Sequence, residues 1–371
     1  MYNANKITGN RFTTFCKNVL IILFISVVLF SCQKEACAPQ QQQVTISKVS
    51  APAQQPLLQT STGNLQLLQA NADRVAISLN WGAFPAGTEE TPDFHIEASM
   101  AGLQFTDWVE IGSTSQSSIN FTTRDFNSQI RKLFVTGFAE NITLRVKYIK
   151  GNSALYSFGA SLQVTTYQPT IEYDNAGVFR IPGNFQNWKV DQAQKIVSPK
   201  NDGEYEGYIN FTNPQSQFLM VKSDLSWSTQ NTYYYIGANK FGFGGNMFSV
   251  KDGAGIYKFN ASTNSNTWSC TKINSWNVNG TAITADGNTD VEMKFNASNN
   301  YWEITGNFKT GNFIFRANKS NGIVIGHNAA SEVGTADYNG SKIEIAKDGN
   351  YTITLSLLSA GNYSYGVQRN A

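Results

Sequence analysis

Charge is scarce in this chain. Only 15% of its 371 residues are Asp, Glu, Lys or Arg, against about 25% in an ordinary soluble domain. Basic and acidic residues nearly balance, 28 against 26, and no Lys/Arg cluster could neutralise a run of phosphates, which argues against nucleic acid as a partner. Histidine is scarcer still. His95 falls on the polar face of a strand and reads as a solvated residue, while His327 sits in a Gly/Asn loop with no carboxylate pattern beside it. Neither has the spacing of a metal site or a catalytic triad. The four cysteines, Cys16, Cys32, Cys37 and Cys270, make no CxxC motif and no disulfide framework. Cys270 reads as a small buried hydrophobe in a strand. No acid departs from an exposed, alternating strand position, so a carboxylate pair for glycoside hydrolysis does not stand out. The expectation is a protein without metal, cofactor or catalysis.

Apolar residues are plentiful. Hydrophobic residues make up 41% and aromatics 13%, with 24 Phe, 16 Tyr and 7 Trp, too many for a disordered chain. Ala, Leu, Glu, Lys and Arg do not dominate, which excludes a coiled coil. Abundant Asn, Thr, Ser and Gly among aromatics give the texture of an all-β, extracytoplasmic protein, and the length suggests two to three domains.

A basic, polar stretch precedes an apolar run from Val19 to Phe30. At about 1.5 Å per residue it is too short for a hydrocarbon core about 30 Å thick, so residues 1–31 read as a signal peptide. Leu29-Phe30-Ser31-Cys32 resembles a bacterial lipobox, which makes Cys32 the expected lipidation site. Lys6, Arg11 and Lys17 leave with the leader, and the mature charge turns slightly acidic. Gln33-Lys34-Glu35 resembles the surface-export tag of Bacteroidetes lipoproteins. The Pro/Gln/Ala-rich residues 32–56 cannot bury a core and read as a flexible tether.

Three β units are expected beyond the tether. In residues 57–168, Phe94, Ile96 and Ala98 alternate with His95, Glu97 and Ser99, and Ile142, Leu144, Val146 and Tyr148 alternate with Thr143, Arg145 and Lys147. Period two with one apolar face predicts half-buried antiparallel strands. The strand from Val75 ends on Trp81, a natural core plug for an immunoglobulin- or fibronectin-like sandwich. Phe126, Ile130, Leu133 and Phe134 keep helical spacing, with Thr122 or Thr123 as cap. Tyr167-Gln168-Pro169 marks a boundary. Residues 170–273 and 274–371 then form a weak repeat: Phe179-x-Ile181-x-Gly183 matches Trp276-x-Val278-x-Gly280, and Met220-Val221-Lys222 matches Ile314-Phe315-Arg316. Both read as small β-sandwiches, with Phe211, Phe218, Tyr257 and Phe259 in one core and Tyr351, Ile353, Leu355 and Leu357 lining a C-terminal strand.

Carbohydrate recognition needs little machinery. A sugar ring stacks its C–H face on a flat aromatic, and its hydroxyls want planar donors and acceptors at one edge. Trp188, in Gly183-Asn-Phe-Gln-Asn-Trp188, and Trp227, in Lys222-Ser-Asp-Leu-Ser-Trp227, are flanked by polar residues instead of an alternating apolar strand. Both are therefore expected to be exposed, with Lys222, Asn231 and Tyr233 as their polar and aromatic company.

Lipobox, tether, an immunoglobulin-like unit with a Leu-x-Trp strand and two tandem sandwiches together resemble the SusE/SusF family of outer-membrane starch-binding lipoproteins of Bacteroidetes. The motifs that carry this are Val178-Phe-Arg-Ile-Pro-Gly-Asn-Phe-Gln-Asn-Trp188, Asn201-Asp-Gly-Glu-Tyr-Glu-Gly207 and Phe313-Ile-Phe-Arg-Ala-Asn318. The resemblance implies a non-catalytic protein, lipid-anchored in the outer membrane and facing the exterior, that holds α-glucan for a partner glycan transporter. It also implies that paired aromatics and a basic side chain form the platform, at Trp188, Trp227 and Lys222. In the last unit the platform positions carry Ala285 and Asn321, leaving Arg316 as a possible weak site. Two alternatives stay open: a structural or adhesion lipoprotein whose aromatics are all core, and a binder of another polysaccharide.

Overall fold

The computed structural model describes residues 55–84, 91–134, 139–174, 177–222, 227–331 and 333–370. The leader, Cys32 and nearly all of the tether lie outside these residues. The described chain is all-β as expected, and Thr123–Ile130 is its one α-helix.

In the first unit a sheet of Leu58–Thr60, Val75–Trp81 and Ser118–Thr122 faces a larger sheet built around Asp93–Met100 and Ala139–Lys150. The alternation works as read: Ile142, Leu144, Val146 and Tyr148 are fully buried, and Trp81 meets Phe94 edge-on at 5.4 Å. Thr122 caps the helix by accepting the Asp125 amide at 3.1 Å. Phe126 and Ile130, with Leu133 and Phe134 just beyond the helix, are buried. The polar face of the central strand corrects the sequence reading. Glu97 is 1% exposed, and His95 is half-buried between Asp93 at 3.1 Å and Glu110 at 3.0 Å. The cover is aromatic, for Phe105 and Tyr156 clasp the Arg145 guanidinium that neutralises Glu97, at 3.9 and 4.1 Å.

The strands of the middle unit close into a hydrogen-bonded ring instead of two open sheets: Val178–Arg180, Lys195–Val197, Glu204–Phe211, Gly255–Ser262, Thr267–Ile273, Lys240–Gly242, Thr232–Gly237 and Met220–Lys222. Phe179, Phe211, Phe218, Tyr257 and Phe259 fill the interior. Cys270 is only half-buried against this core, and burial raises its thiol to about 11. In the last unit a sheet around Trp276–Asn279 and Gly311–Ala317 faces one around Tyr301–Phe308 and Gly349–Ser356. Its core of Trp276, Phe313, Phe315, Ile353 and Leu355 also takes in Tyr208 and Ile256 from the middle strands. Tyr338 and Tyr363 donate their hydroxyls to Glu206 at 2.9 and 2.7 Å, and the Lys258 ammonium lies 3.9 Å from the Tyr338 ring centre. Residues Ala51–Ala371 form one compact unit.

Candidate carbohydrate-stacking site

The site starts from a strand that runs out of the ring. Phe179 and Ile181 point into the core, and Gly183 then bridges to Phe218. A Cβ on Gly183 would fall 2.4 Å from the Gln217 carbonyl oxygen, so only glycine fits there. A single 3-10 turn, Asn184–Gln186, carries the chain outward. Asn187 and Trp188 follow at φ 61° and 58°, a left-handed conformation common for Asn and unusual for Trp. The loop holds it in place. The Trp188 amide donates to the Gly183 carbonyl at 2.9 Å, while Gln186 accepts from the Lys189 amide and donates to the Lys189 carbonyl at 2.7 and 2.9 Å.

Trp227 comes from the loop between Met220–Lys222 and Thr232–Gly237. There Asn231 Oδ1 accepts the Ser228 amide at 3.0 Å, and the Thr232 amide donates to the Ser228 carbonyl at 3.1 Å. Two loops far apart in sequence thus bring Trp188 and Trp227 together, ring centres 6.4 Å apart and planes at 51°. Trp227 is 45% exposed and Trp188 half-buried. Neither belongs to a core cluster, whereas Phe185 in the same loop turns inward against Phe211 at 5.0 Å. The expected exposure holds for Trp227 and only in part for Trp188, and an angled pair of indoles outside the core offers apolar faces to a ring that carries C–H on one side.

The other expected site residues distribute differently. Asn231 spends its Oδ1 on the loop that carries Trp227. Tyr233 is half-buried, edge-on to Phe179 at 5.4 Å and Phe241 at 5.5 Å, and burial raises its hydroxyl. It braces the platform strand from the core side. Lys222 stands opposite Phe179 in the ladder, and the cation–π pairs among the described residues do not include it. Arg316 is 16% exposed and faces Asp290 at 3.6 Å, while Ala285 and Asn321 are both exposed and carry no ring. Two groups escaped the sequence reading. Phe243 is 60% exposed and lies 4.7 Å from Tyr233 with the rings tilted by 31°, and Arg180 donates to the Val190 carbonyl at 3.5 Å. A cavity of about 560 Å³ lies elsewhere, lined by Trp108, His327, Tyr365 and Arg369 among others. A stacking platform is a surface, so it need not coincide with a cavity. Among the described residues no group of His, Cys, Asp and Glu is placed to hold a metal ion.

Residues 41–147 match the family model of the SusE outer membrane protein. The chain resembles the SusE family over most of its first β unit and part of the stretch before it, and this resemblance places it at the outer membrane. The tryptophan pair lies beyond the matched residues. No curated protein and no solved structure matches the chain. Among the described residues no helix is long and apolar enough to cross a membrane.

Proposed function

We propose that this SusE-like chain is a non-catalytic surface lipoprotein that captures α-glucan for an outer-membrane glycan uptake system. Cys32 carries the acyl anchor, residues 32–56 tether the β units above the membrane, and the middle unit holds the polysaccharide. The observation that carries this reading is the Trp188–Trp227 pair, 6.4 Å apart at 51°, with Trp227 exposed and Trp188 half-buried. The angle between the indoles suits a curved chain, in which successive glucose rings turn relative to one another, better than a flat ribbon. Stacking supplies affinity, and polar groups at the edge of the pair select hydroxyl positions. A single shallow site of this kind is worth about 4 kcal/mol, a millimolar dissociation constant, which suits a protein that must hand its ligand on.

Affinity electrophoresis of the mature chain tests the proposal. Retardation is expected in gels that contain amylopectin, and less or none in gels with dextran, xylan or no polysaccharide. Equal mobility in all four gels would overturn it and favour an adhesive or structural role.

A further inference from the structure

Two tryptophans are exposed among the described residues, Trp227 and Trp108, and the platform accounts for only one of them. Trp108, 38% exposed, closes the turn between Asp93–Met100 and Val109–Thr114. That turn holds Gln104 and Phe105 at φ 47° and 60°, left-handed angles that side chains seldom adopt. Two contacts fasten it: the Ser99 hydroxyl donates to the Asp107 carbonyl at 2.6 Å, and the Phe105 ring lies 3.9 Å from the Arg145 guanidinium. Strain is tolerated where the surroundings over-determine it, and here it fixes the position of Asp107 and Trp108.

Both residues line the cavity of about 560 Å³ between the first and last units, a size within the roughly 300–1,000 Å³ range of ligand clefts. Its two walls are tied together. Lys347 donates to the Thr106 carbonyl at 3.2 Å and faces Asp107 at 3.3 Å, Arg369 lies 3.8 Å from the other Asp107 oxygen, and Gln368 donates to Glu140 at 3.4 Å. Positive charge gathers in this cleft. The first unit supplies Arg131 and Lys132, and the last supplies Lys342, Lys347 and Arg369. Only Asp107 and Glu344 oppose them along the lining, in a chain whose bases and acids nearly balance at 28 and 26. Asp107 is shared by two cations, and both distances exceed the roughly 2.7–2.9 Å of a tight charged hydrogen bond. Lys342 is exposed and has no ion-pair partner among the described residues. The cleft therefore combines an available indole face with donors that one carboxylate does not saturate.

We propose that this cleft is a second ligand site, for a small saccharide that carries a carboxylate or a sulfate. Trp108 stacks on the sugar ring, and Lys342, Lys347 and Arg369 hold the anionic group. The choice of a saccharide among anions rests on the glycan-uptake reading, whereas the sign of the ligand's charge rests on the lining alone. A neutral glucan gains nothing from the excess of cations. An oxyanion does, because attraction between charges is stronger in a partly enclosed cleft than in open water.

Isothermal titration of the full mature chain with trigalacturonate, neocarrabiose 4-sulfate, maltotriose and sodium sulfate tests this, with a repeat in the Trp188→Ala/Trp227→Ala double variant. At least one anionic sugar is expected to bind about tenfold or more tightly than maltotriose and than sulfate ion, equally in both backgrounds. The tighter of the two identifies the preferred anionic group, and its affinity should fall between about 50 and 500 mM salt as the cations are screened. Trp108→Ala should weaken it at least about tenfold and Lys342→Gln at least about threefold, with melting temperatures little changed because both side chains are exposed. Anionic sugars no tighter than maltotriose would overturn the proposal. So would binding indifferent to Trp108→Ala, binding lost in the double variant, or sulfate ion matching the sugars, which would leave an anion site without a ring subsite. Failure of the unsubstituted chain to bind amylopectin would overturn the tryptophan platform instead and leave the double-variant titrations standing.

Discussion

Glu97 and Arg145 face each other directly across the ladder between Asp93–Met100 and Ala139–Lys150, with the guanidinium donating to the carboxylate at 2.7 Å. Glu97 is almost wholly buried and Lys147 adds a second cation at 4.0 Å. Such a pair gives little net stability over an apolar replacement, but breaking it strands a charge. Glu97→Ala is therefore expected to lower unfolding stability by about 3 kcal/mol, measured by urea denaturation. A loss below about 1 kcal/mol would show that water reaches Arg145 past Phe105 and Tyr156.

Trp227→Ala separates recognition from folding. The ring is 45% exposed and touches no core cluster, so its removal should leave the melting temperature within a degree or two. Anchors at recognition surfaces cost about 2 kcal/mol or more on truncation, which is about thirtyfold in affinity. Amylopectin retention should all but vanish. A fall in melting temperature comparable to that of a core aromatic would mean that the indole supports the fold instead.

Gly183→Ala should damage both. The added methyl would meet the Gln217 carbonyl oxygen at 2.4 Å and the Phe185 ring at 2.5 Å, and backbone on one side leaves no easy relaxation. A cost of about 1–3 kcal/mol is expected from such overpacking, together with weaker retention, because the turn that launches Trp188 must shift. Unchanged retention at reduced stability would show that the Trp188 loop is positioned independently of Gly183.

How far the sequence revealed this site follows from what is local in it. Trp188 and Trp227 stood out because each sits among polar residues, and polar neighbours are a one-dimensional signal. Arg180 did not. Between Phe179 and Ile181 it has the spacing of any solvated residue on an amphipathic strand, and only the pairing with Val221 and the hydrogen bond to the Val190 carbonyl show its surroundings. Tyr233 misled for the converse reason: next to Tyr234 and Tyr235 its inward direction is invisible until the strand is paired. Glu97 looked like a surface acid because the cover over it, Phe105 and Tyr156, comes from a turn and an edge strand that alternation does not describe. The strands, the helix cap and the core faces depend on short-range periodicity and were legible. The closed ring of the middle unit depends on which ends meet, and was not.

His95 makes the first unit sensitive to pH. Burial alone lowers the imidazole, but hydrogen bonds and charge from Glu110 and Asp93 outweigh it and hold the group above its ordinary value. A group raised in the folded state adds stability that is complete below the unfolded value, about 6.5, and fades as pH rises through the native one. His95→Gln should therefore lower the melting temperature more at pH 5.5 than at pH 8.5. An equal deficit at both values would show that the carboxylates do not favour the charged ring.

The last unit should add nothing to glycan retention. It shares its core with Tyr208 and Ile256 of the middle unit, so its contribution is best read in the whole chain. Ala285 and Asn321, the residues that the sequence repeat matches to the two indoles, carry no aromatic face for a ring to stack on. Arg316 is occupied by Asp290, and a lone hydrogen bond is worth only about 1 kcal/mol net against competing water. The double substitution Trp188→Ala and Trp227→Ala in the full mature chain is expected to migrate in amylopectin gels like a non-binding control. The unsubstituted chain should in turn lack the avidity of two working sites on one polymer, so its dissociation constant for a short maltooligosaccharide and its apparent value for amylopectin, counted per binding stretch, should agree within a few-fold. Residual retention in the double variant that disappears on Arg316→Gln would place a working second site in the last unit, and the Arg316–Asp290 pair would then have to open to admit the sugar.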